Sequence, residues 1–159
     1  HYLFPLMAFA LGIFIAENID HRYKTARRIH WRQIVLLIEI VLLGAVGFLP
    51  AQFDMAANMM VSLSCAMQVQ SFRKVDGYGY ASTMCIGNLR AGTESLAKYF
   101  HDGKKETLRK SLHYFGIILI FALGAGFGGV MSQRMGIRTI WISSLLLLID
   151  CVMMYRETI

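Results

Sequence analysis

Charge is scarce in this chain. Lys, Arg, Asp and Glu make up 16% of its 159 residues, where a soluble domain carries about a quarter. Cysteine is scarcer still: Cys65, Cys85 and Cys151 stand at no paired spacing, which excludes a secreted disulfide scaffold. His1, His21, His30, His101 and His113 form no metal-ligand pattern, so no metal is expected. Phosphate-binding loops, dinucleotide fingerprints, nucleophile elbows and zincin motifs are missing, so neither a cofactor nor an enzyme is expected. No basic n-region or small-residue cleavage site precedes the first apolar run, which is therefore read as a membrane segment rather than a signal peptide. What the chain has instead is 56% hydrophobic residues and a mean hydropathy of +0.50. That excess excludes disorder and leaves an integral membrane protein.

A bilayer core needs roughly 20 apolar residues per helix. Met55 to Phe72 supplies 18 residues without a formal charge, and Ser111 to Gln133 supplies 23. Gln33 to Phe53 is interrupted only by Glu39, and Thr139 to Tyr155 only by Asp150. Tyr2 to Ala16 is uncharged and makes a fifth candidate. His1 is not an initiator Met, and the expectation is a fragment with residues missing upstream.

The basic residues sort the loops. Arg22, Lys24, Arg27, Arg28 and Arg32 mark one connection as cytoplasmic, while the short Leu49–Asp54 connection, with Pro50 and no cation, suits the opposite side. Residues 81–100 are ambiguous, being moderately apolar yet holding Arg90, Glu94 and Lys98 with Gly87 and Gly92. If this stretch spans, 9 Lys/Arg fall inside and 6 outside; if it is broken or re-entrant, 13 fall inside and 2 outside, Arg90 being left out of both counts. The charge bias favours the non-spanning alternative.

An internal repeat organises these segments. At an offset of 112, His1-Tyr2 falls on His113-Tyr114 and Phe9-Ala10-Leu11-Gly12 on Phe121-Ala122-Leu123-Gly124. With a shift of one or two residues, Trp31 matches Trp141, and Leu36-Leu37-Ile38-Glu39 matches Leu147-Leu148-Ile149-Asp150. The fold expected is all-α, a polytopic transmembrane helix bundle of two internal repeats. Residues 1–49 would be the end of a truncated first repeat, with two transmembrane helices. Residues 50–159 would be the second, with three helices plus the polar segment 81–100. Two unrelated membrane hairpins are the plainer alternative. Three crossings per repeat would make the repeats inverted, and four would make them parallel.

Several residues are candidates for function. Glu39 and Asp150 sit inside apolar runs at matching repeat positions. There an ionised acid is costly and marks a proton or cation site, or else lies shallow enough to reach water. Ser64, Gln68 and Ser71 line one helix face with Gln70 beside them, and Thr83, Arg90 and Glu94 share another with Gly87. A helix break at Gly87-Asn88 would free backbone groups for a ligand, and Arg90 can pair with Glu94. The candidate substrate residues are thus Gln68, Gln70, Thr83, Asn88, Arg90 and Glu94, with Glu39 and Asp150 as coupling acids. The competing reading of 81–100 is a polar amphipathic helix resting at the interface. Gly12, Gly124 and Gly128 lie on small-residue faces suited to close helix packing.

At Ala66-Met67-Gln68-Val69-Gln70-Ser71-Phe72-Arg73-Lys74-Val75 and Ser82-Thr83-Met84-Cys85-Ile86-Gly87-Asn88-Leu89-Arg90, the sequence resembles the YoaK family, bacterial inner-membrane proteins of unknown function. Members read Thr-Gly-Asn where this chain has Ile86-Gly87-Asn88. The resemblance covers the whole chain and implies a multi-pass protein of the bacterial cytoplasmic membrane, longer at the N-terminus and with an earlier Thr-Gly-Asn segment. It implies no substrate, cofactor or catalytic residue.

A small-molecule transporter or permease is the leading expectation, and a non-transporting scaffold or regulator that binds partner helices is the rival. The bilayer and an unknown small molecule are the expected partners. A homo-oligomer fits this plan, and nucleic acid does not, because the +6 charge lies in loops that orient the chain.

Overall fold

The computed structural model describes residues 3–23, 31–75, 78–79 and 85–158. These form six α-helices: α1 (Leu3–Tyr23), α2 (Trp31–Val46), α3 (Asp54–Ser71), α4 (Cys85–Asp102), α5 (Lys105–Met135) and α6 (Ile140–Thr158). Short 3-10 turns precede α3 and α6, at Ala51–Phe53 and Gly136–Thr139. The two-residue strands β1 (Lys74–Val75) and β2 (Tyr78–Gly79) pair antiparallel, Lys74 opposite Gly79. The described chain is therefore helical apart from this small ladder. It divides into two compact units, His1–Ser71 with Met131–Ile159, and Phe72–Val130.

In the first unit α1 and α3 run parallel and very close. The Ser62 hydroxyl donates to the Pro5 carbonyl at 2.7 Å near one end, and the Gln70 amide donates to Glu17 near the other. Gly12 sets the separation: a Cβ there would lie 2.5 Å from the Leu63 carbonyl oxygen and 2.8 Å from the Ala66 Cβ. Ala8, Gly12 and Ala16 are buried along this face, as expected where small residues bring helices together without large side chains between them. The larger residues of α1, among them Leu6, Met7 and Phe14, are exposed. An apolar exterior around a small-residue seam is the pattern of a helix whose other face meets lipid.

The remaining pairs fix the polarity of the unit. The start of α2 meets the end of α3, where the Arg32 Nε–H donates to the Ser71 carbonyl at 3.0 Å and serves an orphan acceptor of that helix end. Hence α2 is antiparallel to α3. The start of α6 meets the end of α2: Trp141 Nε1–H donates to the Gly44 carbonyl at 3.3 Å, and the Ser144 hydroxyl to Ile40 at 3.4 Å. Hence α6 is antiparallel to α2, and α1, α3 and α6 share one direction. Ala16, Val35 and Met67, with Trp31, Ile38 and Leu63 against them, form the core.

In the second unit α4 meets α5 at a tight crossing. A Cβ on Gly92 would lie 3.2 Å from that of Tyr114, and the Ser111 hydroxyl donates to the Gly92 carbonyl at 2.9 Å. α4 runs unbroken from Cys85 to Asp102, so the helix break considered at Gly87-Asn88 is absent. At its far end α5 stops where Gly136 takes φ +62°, a left-handed conformation that glycine adopts without Cβ strain.

Among the described residues two helices are long and apolar enough to cross a membrane: α1, and the stretch Lys105–Arg156 that contains α5 and α6. α2 has 16 residues and α3 carries Asn58, Ser62, Ser64, Gln68 and Gln70.

Candidate functional site

The first unit places the two buried-run acids on one cavity. Glu39 is the ninth of the 16 residues of α2, and Asp150 lies midway along α6. Both line a cleft of about 420 Å³ among α2, α3 and α6. Glu39 is 1% exposed, so it is neither a helix-end acid nor in reach of bulk water. Asp150 is exposed and forms the rim. From α3, Ser64, Cys65 and Gln68 face the same space, and Leu43, Leu146 and Leu147 make its apolar wall.

The cleft's polar floor is not internally satisfied. Oε1 of Glu39 and the Ser64 hydroxyl are buried with no hydrogen-bond partner. Buried polar atoms are nearly always paired, because an unpaired one costs about 1–3 kcal/mol. Two such atoms line this one cleft.

A second cleft of about 450 Å³ adjoins the first. It shares Val61, Ile140 and Ser143 with it and extends past Asn58 to Asp54 and Gly136. Together the two make a groove along α3 from its first residue, Asp54, to Gln68 near its last turn. Among the described residues its charged lining is Asp54, Glu39 and Asp150, with no Lys, Arg or His.

The other candidates are distributed differently. Gln70 directs its amide to Glu17 on α1, so the neighbouring glutamines Gln68 and Gln70 serve different faces of α3. Asn88, Arg90 and Glu94 lie on α4, in the second unit, where Asn88 is buried at 3% and Arg90 and Glu94 are exposed. Thr83 lies outside the described residues. The ion pair made by Glu94 is with Lys98, at 2.8 Å, in place of the Arg90 pairing considered above. Asp54, Asn58 and Ser143 went unnoticed at the level of sequence. Each is a single polar residue whose membership of the groove depends on which helix faces meet.

The Lys98 ammonium, by hydrogen bond and then by charge, holds the Glu94 carboxyl below the ordinary carboxylate range, with smaller pulls from Arg90 and Lys110. Both partners stand in solvent, so the pair steadies α4 weakly. Because the folded-state value is the lowered one, its contribution is fully present above the ordinary value of 4.5. It is lost as pH falls from there through the lowered value. Lys98→Met is expected to move the Glu94 titration back up toward that ordinary value, as followed by side-chain carbon NMR.

Among the glycine-face residues, Gly12 is packed as described, whereas Gly124 and Gly128 have nothing within 4 Å.

A family model described as a protein of unknown function, DUF1275, matches residues 1–153. No curated protein and no solved structure matches the chain.

Proposed function

The chain belongs to the DUF1275 family of proteins of unknown function, and we propose that it is a multi-pass membrane protein that carries a small molecule along the α2–α3–α6 groove. The observation that carries this reading is the groove itself. It follows α3 from Asp54 to Gln68, and Glu39, Asp150 and the unpartnered polar atoms sit at mid-helix, where a purely structural bundle would be apolar. Transporters place their sites near the midplane between repeats. Here α2 and α6, whose sequences match one another, pack antiparallel and both contribute an acid. That polarity supports an inverted pair of repeats.

Helix direction also supports a topology. With the basic connection between α1 and α2 on the cytoplasmic side, α1, α3 and α6 run inward and α2 runs outward. Arg134 and Arg138, between α5 and α6, then lie outside, so α5 begins inside. The charge bias of the sequence then favours a segment 73–104 that returns to the cytoplasmic side, with α4 not crossing. Leaving Arg90 aside, this arrangement places 13 of the other 15 Lys and Arg residues inside, in keeping with the positive-inside rule. The resemblance to the YoaK family in residues 66–90 favours the bacterial cytoplasmic membrane as the location.

Uptake of a labelled metabolite panel into proteoliposomes tests the reading. At least one solute is expected to enter, with Asp150→Asn slowing it severalfold. In a cysteine-free background, Lys104→Cys is expected to react with an impermeant thiol reagent from the cytoplasmic face alone. Absence of uptake across the panel, with one protein co-purifying reproducibly, would sink the transport reading. A second reading, a scaffold for partner helices, draws on the α5 face: a Cβ on Gly124 or Gly128 would meet nothing within 4 Å, and Ile120, Leu123 and Phe127 are exposed around them.

A further inference from the structure

We propose that the groove takes a small organic cation, its ammonium head held by Glu39 and Ser64 and its apolar body resting on Leu43, Val61 and Leu147. This deepens the transport reading and rests on it for the word substrate, but the binding site stands on separate observations.

The first is charge. The chain has 16 Lys and Arg against 10 Asp and Glu, yet every charged residue along the groove, among the described residues, is acidic: Asp54 near one end, Glu39 within, Asp150 at the rim. An anion would meet three like charges and no counter-charge. A cation would meet acids along its whole path, and in a low-dielectric site such placement selects strongly by sign.

The second is hydrogen bonding. Glu39 is 1% exposed and Ser64 3% exposed, and each has a buried oxygen with no partner. Both line the same cleft, together with the amide of Gln68. The carboxylate accepts only, the hydroxyl and the amide carbonyl can also accept, and an ammonium group supplies three N–H donors and nothing else. Its desolvation is offset only where a carboxylate receives it.

The third is shape. A volume of about 420 Å³ lies within the range of small-molecule sites, which runs roughly from 300 to 1,000 Å³. It far exceeds one dehydrated ion, and much of its wall is aliphatic. Among the described residues no three His, Cys, Asp or Glu are grouped to hold a metal ion. An amphiphilic monovalent cation satisfies floor and wall together; an inorganic ion leaves the wall without use.

The test is binding of n-butylammonium chloride to the full-length protein in lipid nanodiscs by titration calorimetry, with n-butanol, sodium butyrate and sodium chloride as comparators. Saturable binding of butylammonium is expected, at least about tenfold tighter than butanol or butyrate. Glu39→Gln is expected to weaken it by about tenfold or more, and Asp150→Asn at the exposed rim by a few-fold. Glu106→Gln, at the start of α5, should leave it unchanged. Because Asp150 is not buried, its variant keeps the test valid if Glu39→Gln does not fold. Absence of saturable butylammonium binding overturns the proposal. So does butyrate binding as tightly, sodium competing equally, or wild-type affinity in the Asp150 variant and in any folded Glu39 variant. Butylammonium binding without uptake of any solute would remove the transport reading and leave the cation site. Solute uptake that butylammonium does not inhibit would do the reverse.

Discussion

Gly12→Leu is expected to cost the first unit about 3 kcal/mol or more, at the upper end of what overpacking does. The obstacle is backbone. The first atom of any side chain at this position would lie 2.5 Å from the Leu63 carbonyl oxygen, and a carbonyl inside a helix cannot swing aside as a flexible side chain can. α1 would have to move off α3, releasing the Ser62–Pro5 hydrogen bond and the Gln70–Glu17 contact at the two ends of the seam. The comparison that gives the number its meaning is Gly124→Leu, at the repeat-related position. There a Cβ would meet nothing within 4 Å, so the same substitution should cost no stability and, by helix propensity, add up to about 1 kcal/mol. Chaotrope-induced unfolding in mild detergent, followed by tryptophan fluorescence, measures both. Equal losses for the two would mean that the Gly124 face is covered in the assembled protein, which would favour the partner-helix reading.

Glu39→Met is expected to act in the opposite direction, raising stability by about 1–3 kcal/mol while abolishing solute uptake. The reason is the unpartnered oxygen. A buried acid with an unsatisfied atom bears a desolvation penalty that an apolar side chain of similar volume does not. Ala16, Val35 and Met67 show that this unit packs well around aliphatic and thioether groups. A residue that stabilises the fold when removed is present for some other purpose, and functional sites are where such trade-offs concentrate. The same unfolding assay, paired with proteoliposome uptake, checks the two halves. A clear loss of stability would mean that Glu39 has a structural partner and is not held for a ligand.

Some of this was legible in the sequence and some was not, for identifiable reasons. The Ala8, Gly12 and Ala16 seam could be read from spacing, because small residues four apart on an apolar helix have few uses besides close packing. Glu39 and Asp150 stood out because an acid within an apolar run is expensive wherever it lies. Their meeting on one cleft was not legible, since it depends on α2 and α6 packing antiparallel with particular faces together. The division of labour between Gln68 and Gln70 could have been foreseen, because residues two apart on a helix do not share a face. The choice of Lys98 over Arg90 as the partner of Glu94 also had a signal. At four-residue spacing, an acid N-terminal to its base is the better order.

On the multi-pass reading proposed above, the length of α2 has a consequence for the surroundings of the protein. Sixteen residues rise about 24 Å along a helix, against a hydrocarbon core of roughly 30 Å. A helix that falls short of the lipid tails draws the two leaflets together beside it. α2 carries the buried acid of the groove, so the bilayer would be thinnest where a solute has to pass. Acyl chain length thereby enters the barrier to passage: shorter-chain lipids fit this helix without strain, and longer ones press against it.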